Sequence, residues 1–258
     1  MLSVATPELI LLLVVIALVS GVGCTTLGPG GIFVTIALYL LTPLSSAAVA
    51  GTAHVTFIAV GAVGAVGYAR SGELTEGDGY VLAVILSATS ILGAIAGAHL
   101  NAYVSRRLFG VILGIVSAVT GLVLLHRERN ELDSVVAVDP HTLKGKTAFG
   151  SLGVALGVTA GLVGVGGPVF AVPALVLLGV PMLLALAIAQ VQAIFISGFA
   201  TVGYLTRDAV SVPYALITGV PLVFGAALGW LIAHRVDPER LKVGLGIVLI
   251  VVGAYLVL

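Results

Sequence analysis

Residues 9–69 read LILLLVVIALVSGVGCTTLGPGGIFVTIALYLLTPLSSAAVAGTAHVTFIAVGAVGAVGYA, 61 residues between Glu8 and Arg70 without an Asp, Glu, Lys or Arg. No soluble core helix is that long, and a helix needs only about 20 apolar residues to cross a bilayer. The stretch therefore holds about three segments. Gly28-Pro29-Gly30-Gly31 and Thr42-Pro43 mark the breaks between them. We place the segments at roughly 6–24, 30–42 and 45–69. The middle one is short for a full crossing.

The same punctuation recurs downstream. Uncharged runs follow over Gly79–Ser105 and Leu108–His126, and then the order starts again. Sixty uncharged residues separate Lys146 from Arg207, 26 separate Asp208 from Arg235, and a last run follows Lys242. The predicted spans are near 80–104 and 107–126, then 147–164, 168–180, 182–205, 213–233 and 240–258. Gly164-Val165-Gly166-Gly167-Pro168 and Gly179-Val180-Pro181 are the breaks of the second set. The chain divides into a first transmembrane repeat (1–126), a polar linker (127–146) and a second repeat (147–258). Gly30-Gly31 pairs with Gly166-Gly167, and Gly67-Tyr68 with Gly203-Tyr204. Gly93 and Gly97 pair with Gly225 and Gly229, a spacing suited to close helix packing.

The 258 residues are 60% hydrophobic and 9% charged, against about 25% charged in a soluble domain. Continuous rather than alternating apolar runs argue against a barrel. The fold class is an all-α polytopic membrane protein, multi-pass in the cell membrane and partnered by the lipid bilayer. A basic n-region is missing and the apolar stretch continues past Gly21, so the first segment reads as a retained helix. A net charge of zero gives no sign of nucleic-acid binding. Cys24 is the single cysteine, and neither a metal-ligand cluster nor a cofactor motif is present. The sequence shows no paired acids and no nucleophile–base set, which argues against an enzyme.

Orientation follows from the basic residues. An odd number of crossings per half would invert the halves. Arg70, Arg127, Arg129, Lys144, Lys146, Arg235, Arg240 and Lys242 would then share one side, against Arg106, Arg107 and Arg207. The positive-inside rule prefers this split, with a cytoplasmic linker and both termini outside.

The two glycine breaks carry the functional signal. Each precedes a short apolar segment at corresponding places in the two halves, the pointer to a binding site built from broken helices. A helix N-terminus offers free N–H donors and partial positive charge, which favour an anion. Gly28, Gly30, Gly31, Gly164, Gly166 and Gly167 are therefore candidate contacts for a small anionic substrate, with tight helix packing as their plainer role. His54 is the one histidine inside the two long runs and titrates near neutral pH. It is a candidate to contact the anion or carry a coupling proton, or else a neutral interhelical residue. A coupling sodium ion is the other option. Aligning Pro43 with Pro181 sets Thr52 opposite Gln190 and His54 opposite Gln192. All four join the candidate site, although buried amides also tie helices together. Cys24, Thr25 and Thr26 flank the first break and could line it. His99 and Trp230 read as interfacial, and Arg70 and Arg207 as residues that snorkel and orient.

The chain resembles the TauE/SafE sulfite exporter family, also called the toluene sulfonate uptake permease family. The likeness rests on its length and two halves, on Gly28-Pro29-Gly30-Gly31-Ile32-Phe33-Val34 and Gly164-Val165-Gly166-Gly167-Pro168-Val169-Phe170-Ala171-Val172-Pro173, and on Ala50-Gly51-Thr52-Ala53, similar to a family Gly-Thr-Ser element. His54 after Gly-Thr-Ala, and Ala189-Gln190-Val191 in the second half, depart from that pattern. The resemblance implies a secondary transporter of sulfite, a sulfonate or a related organosulfur anion. The alternatives are a channel-like anion pore and a membrane assembly or redox-related protein without transport.

Overall fold

The computed structural model describes residues 6–75, 77–129, 139–235 and 239–258. It has ten α-helices, and no strand among the described residues: α1 Pro7–Thr26, α2 Ile32–Leu41, α3 Ser46–Ser71, α4 Gly79–Leu100, α5 Arg106–Arg129, α6 Leu143–Val163, α7 Pro168–Leu177, α8 Met182–Leu205, α9 Val212–Ala233 and α10 Glu239–Val257. Among the described residues, seven are long and apolar enough to cross a membrane. This is a multi-pass membrane protein.

Local chemistry sets the ends. Thr6 caps α1 by accepting from the Leu9 N–H, Ser45 caps α3 through Ala48, and Thr142 caps α6 through Gly145. Gly164 closes α6 in the left-handed region at φ 72°. Two expectations shift. Residues 29–31 form a 3-10 turn before α2, and α7 stops at Leu177 because the chain turns at Gly179, φ 85°. At the polar linker, α5 runs through Arg129 and α6 begins at Leu143, while 130–138 lie outside the described residues.

Small residues decide the packing. α1 lies along α9 in the same direction, with Gly21 against Leu222 and Ala226, Gly225 against Leu18, and Gly229 against Val22. α6 lies along α4 in the same way, with Gly93 against Val154 and Val158, and Gly97 against Val158 and Leu162. A side chain at these glycines would meet neighbouring backbone. In lipid, where apolar burial between helices brings little, such backbone approach is a main source of cohesion. α3 and α8 cross in opposite directions, Gly51 meeting Tyr204 and Gly64 meeting Gln190. α5 and α10 also run oppositely, Gly114 on Gly253 and Gly121 on Gly246. The exterior carries Leu11, Leu92, Phe224 and Val251, each more than half exposed, as a lipid-facing surface requires. The interior holds Thr25, Thr35, Thr52, His54, Gln190, Gln192 and Ser197 at zero exposure.

Candidate functional site

The two glycine breaks meet at the ring of Phe57, the twelfth residue of α3. A methyl group on Gly31 would lie 2.8 Å from Phe57 Cε1, and one on Gly166 would lie 3.1 Å from its Cγ. Phe57 thus fills the gap between the breaks, tip toward the first and base toward the second. Gly28, at φ 96°, packs on Val172 and the Pro168 carbonyl of α7. The Thr35 hydroxyl of α2 donates to the Gly164 carbonyl of the second break. Neither α2 nor α7 has a side-chain cap, since Gly31 and Gly167 hold those positions. Two uncapped helix N-termini therefore converge on one buried point, which suits an anion.

Gly31 and Gly167 differ in what they face. A methyl group on Gly31 would meet side chains, the Phe57 ring and, at 3.3 Å, Cys24 Sγ. One on Gly167 would meet the backbone of α8, Ala193 N at 3.1 Å and Ala189 O at 3.2 Å. Gly30 packs on Gly23 of α1. The packing role accounts for Gly30 and Gly167 directly, whereas Gly31 and Gly166 border the shared gap.

His54 and Gln190 each clasp the helix ahead of one break. His54 Nε2 lies 3.3 Å from the Gly161 carbonyl and Nδ1 lies 3.2 Å from Ser197 Oγ. A carbonyl only accepts, so Nε2 donates, and Nδ1 accepts from the serine. The neutral imidazole satisfies both contacts. Gln190 Nε2 donates to the Cys24 carbonyl at 3.1 Å. Tyrosines reinforce each clasp: Tyr204 donates to Gly161 O at 2.8 Å and Tyr68 to Thr25 O at 2.5 Å.

These bonds correct the register read from the prolines. The interval from Tyr68 to Tyr204 equals that from His54 to Gln190, so His54 stands opposite Gln190 rather than Gln192. The reason is that Pro181 occupies the N-cap of α8, whose counterpart in α3 is Ser45 and not Pro43. Thr52 is turned elsewhere, accepting from the Ser211 N–H at the start of α9. Gln192 is fully buried with neither side-chain atom partnered, and Gln190 Oε1 is also unpartnered. Each such atom costs about 1–3 kcal/mol unless something meets it.

Other residues settle into structural roles. Thr25 and Thr26 donate to the Ala226 and Gly229 carbonyls of α9. Arg207 donates to the Gly203 and Ala98 carbonyls and lies over the Tyr204 ring at 5.1 Å. Arg106 donates to the Tyr39 carbonyl in the last turn of α2 and to the Thr42 and Leu44 carbonyls beyond it. His99 is exposed and bonds within its helix to Ile95 O. Grooves of roughly 380 and 370 Å3 run along the α3–α9 seam, the first bordered by Arg70 and Trp230, and neither is lined by a candidate contact. The sequence missed Phe57, Ser197 and Gly161. Nothing distinguishes Phe57 from any apolar residue, although it stands one turn after His54.

Residues 3–124 match the family model described as Sulfite exporter TauE/SafE. A curated relative, a probable membrane transporter protein of Methanocaldococcus jannaschii, is 30% identical over 115 residues, covering 41% of this chain and 43% of its own length. The chain is thus matched over less than half of that relative. No solved structure matches it.

Proposed function

We propose that this chain, whose residues 3–124 match the sulfite exporter TauE/SafE family model, carries a small anion, sulfite or a sulfonate-like organosulfur anion, by alternating access. One observation carries this reading: the uncapped N-termini of α2 and α7 converge on Phe57, with glycines on either side of its ring. Gly31 and Gly166 leave backbone N–H groups approachable. His54 and Gln190 hold the two breaks in place, and Gln192, two residues past Gln190 in α8, has an unspent amide for a polar ligand.

In this arrangement the ring occupies the place of the anion, so binding requires it to swing aside. The matched contacts of the two halves support an inverted repeat. α1 on α9 is mirrored by α6 on α4, and α3 and α5 run opposite to their counterparts α8 and α10. Rocking of such halves about the shared gap would expose it to alternate sides. On this reading the linker lies on one side and both termini on the other, with the linker cytoplasmic by charge.

The test is a thermal-shift binding screen of purified protein against sulfite, thiosulfate, sulfate and simple sulfonates. The reading expects stabilisation by at least one sulfur oxyanion, weakened in Gln192→Leu. Stabilisation by none of the four would remove the cargo class.

A further inference from the structure

One ionisable pair, a buried carboxylate against a solvent-accessible histidine, takes no part in that site. Glu73 lies in the 3-10 turn Glu73–Thr75 between α3 and α4 and is 7% exposed. Its Oε1 is 2.7 Å from Nε2 of His234, the residue that ends α9. The other ring nitrogen, Nδ1, is 2.9 Å from the Trp230 carbonyl. A carbonyl cannot donate, so Nδ1 carries a hydrogen. At 2.7 Å the second contact needs a hydrogen as well, because two facing lone pairs would repel. The arrangement therefore holds one proton more than a neutral imidazole beside a carboxylate. Moving the single hydrogen of a neutral ring to Nε2 would serve Glu73 but set a lone pair against Trp230 O.

The pair is wired to the first break. The His234 ring packs on Tyr68, centroids 5.7 Å apart, and Tyr68 donates its hydroxyl to Thr25 O in the last turn of α1. Glu73 Oε2 is buried without a partner, so an unpaired carboxylate here would be costly.

We propose that Glu73 and His234 form a proton-binding site that serves as the transporter's coupling site: the bound proton ties the end of α9 to the α3–α4 turn and steadies Tyr68 against the first break, and its release frees both. The coupling role rests on the transport reading; the proton site itself does not.

Burial disfavours the charged imidazole, but the Trp230 carbonyl and the Glu73 carboxylate outweigh it and hold His234 above its ordinary value. Among the described side chains, α3 presents Tyr68 to the ring and carries Arg70 beside Trp230. α9 continues into Arg235, and Cys24 of α1 lies beyond Tyr68. The α4 side offers Asp78, which pairs with His141, and the α8 end that meets the turn, Met182–Leu184, carries no charge.

Trp230 is the single tryptophan of the chain and lies edge-on to His234, centroids 5.4 Å apart. An imidazolium quenches indole emission more than a neutral imidazole does, so Trp230 fluorescence reads this proton without any cargo. Purified wild-type protein should show one fluorescence titration with a midpoint above 6.5, the ordinary histidine value. Glu73→Gln should shift that midpoint downward and His234→Gln should abolish the step. A wild-type midpoint at or below 6.5, an unmoved midpoint in Glu73→Gln, or a persisting step in His234→Gln would overturn the proposal. The wild-type curve decides alone if a variant fails to assemble. A titration as expected in a protein that transports none of the sulfur anions keeps the proton site and removes the transport reading instead.

Discussion

Tyr68 and Tyr204 make the same bond at opposite ends of the site: each donates its hydroxyl to a carbonyl 43 residues earlier in the chain, Thr25 O and Gly161 O. The helices that carry those carbonyls, α1 and α6, lead into the two glycine breaks. Each break is thus held from both α3 and α8, by a tyrosine of one and a polar side chain of the other.

Removing a hydroxyl should therefore loosen one break at a time. Interhelical hydrogen bonds in membrane proteins are worth about 0.6 kcal/mol on average and about 1.7 at most. Tyr68→Phe and Tyr204→Phe should each give assembled protein with a slightly lower Tm. Tyr204→Phe with His54→Ala should fall further than the sum, since both residues serve Gly161 O. Additive losses in detergent melts would show that the clasp is not shared.

His54 has both nitrogens satisfied as a neutral ring. His54→Gln keeps a donor toward Gly161, so its transport should follow the wild-type pH profile between about 5 and 8, the range of an ordinary histidine. His54→Ala leaves Ser197 and the carbonyl partly unpaired and should lower stability. A flattened profile in His54→Gln would return the coupling proton to His54.

Gly31 and Gly167 should part company. Gly31→Ala pushes on the movable tip of Phe57, whereas Gly167→Val pushes on α8 backbone. Overpacking costs about 1–3 kcal/mol where neighbours cannot yield. Gly167→Val should reduce the yield of folded protein. Gly31→Ala should fold and lose transport, and Phe57→Leu in the same chain should recover part of it. Failure of that rescue in a flux assay would remove Phe57 as the neighbour that matters.

The Glu73–His234 pair gives stability a pH dependence of known sign. His234 binds its proton more tightly when folded, so its contribution is complete below 6.5, the ordinary value, and fades as pH rises through the folded one. Wild-type Tm should fall across that window, and His234→Gln should flatten the fall. Equal slopes in the two proteins would contradict the contact.

Much of this architecture was legible. Charge-free runs and glycine–proline breaks located every helix to within a few residues, because lipid forbids unpaired backbone and glycine and proline mark where helices stop. The convergence of the breaks was legible only as an expectation. What closes the gap was not: Phe57 is one apolar residue among many, and its position depends on how α3 crosses α8. The alignment of His54 failed by two residues because proline was treated as a fixed marker, while Pro181 caps a helix and Pro43 precedes a cap. The Glu73–His234 pair joins turns far apart in sequence and leaves no local pattern.

Counterflow in proteoliposomes tests the central claim most directly. Vesicles loaded with unlabelled sulfite, thiosulfate, sulfate or methanesulfonate would be offered trace labelled sulfite. The account predicts transient accumulation of label driven by internal sulfite or by a close sulfur oxyanion, and its loss in Gly31→Ala. Downhill flux that ignores the internal anion would mean a pore, and no flux with any of the four would contradict the account.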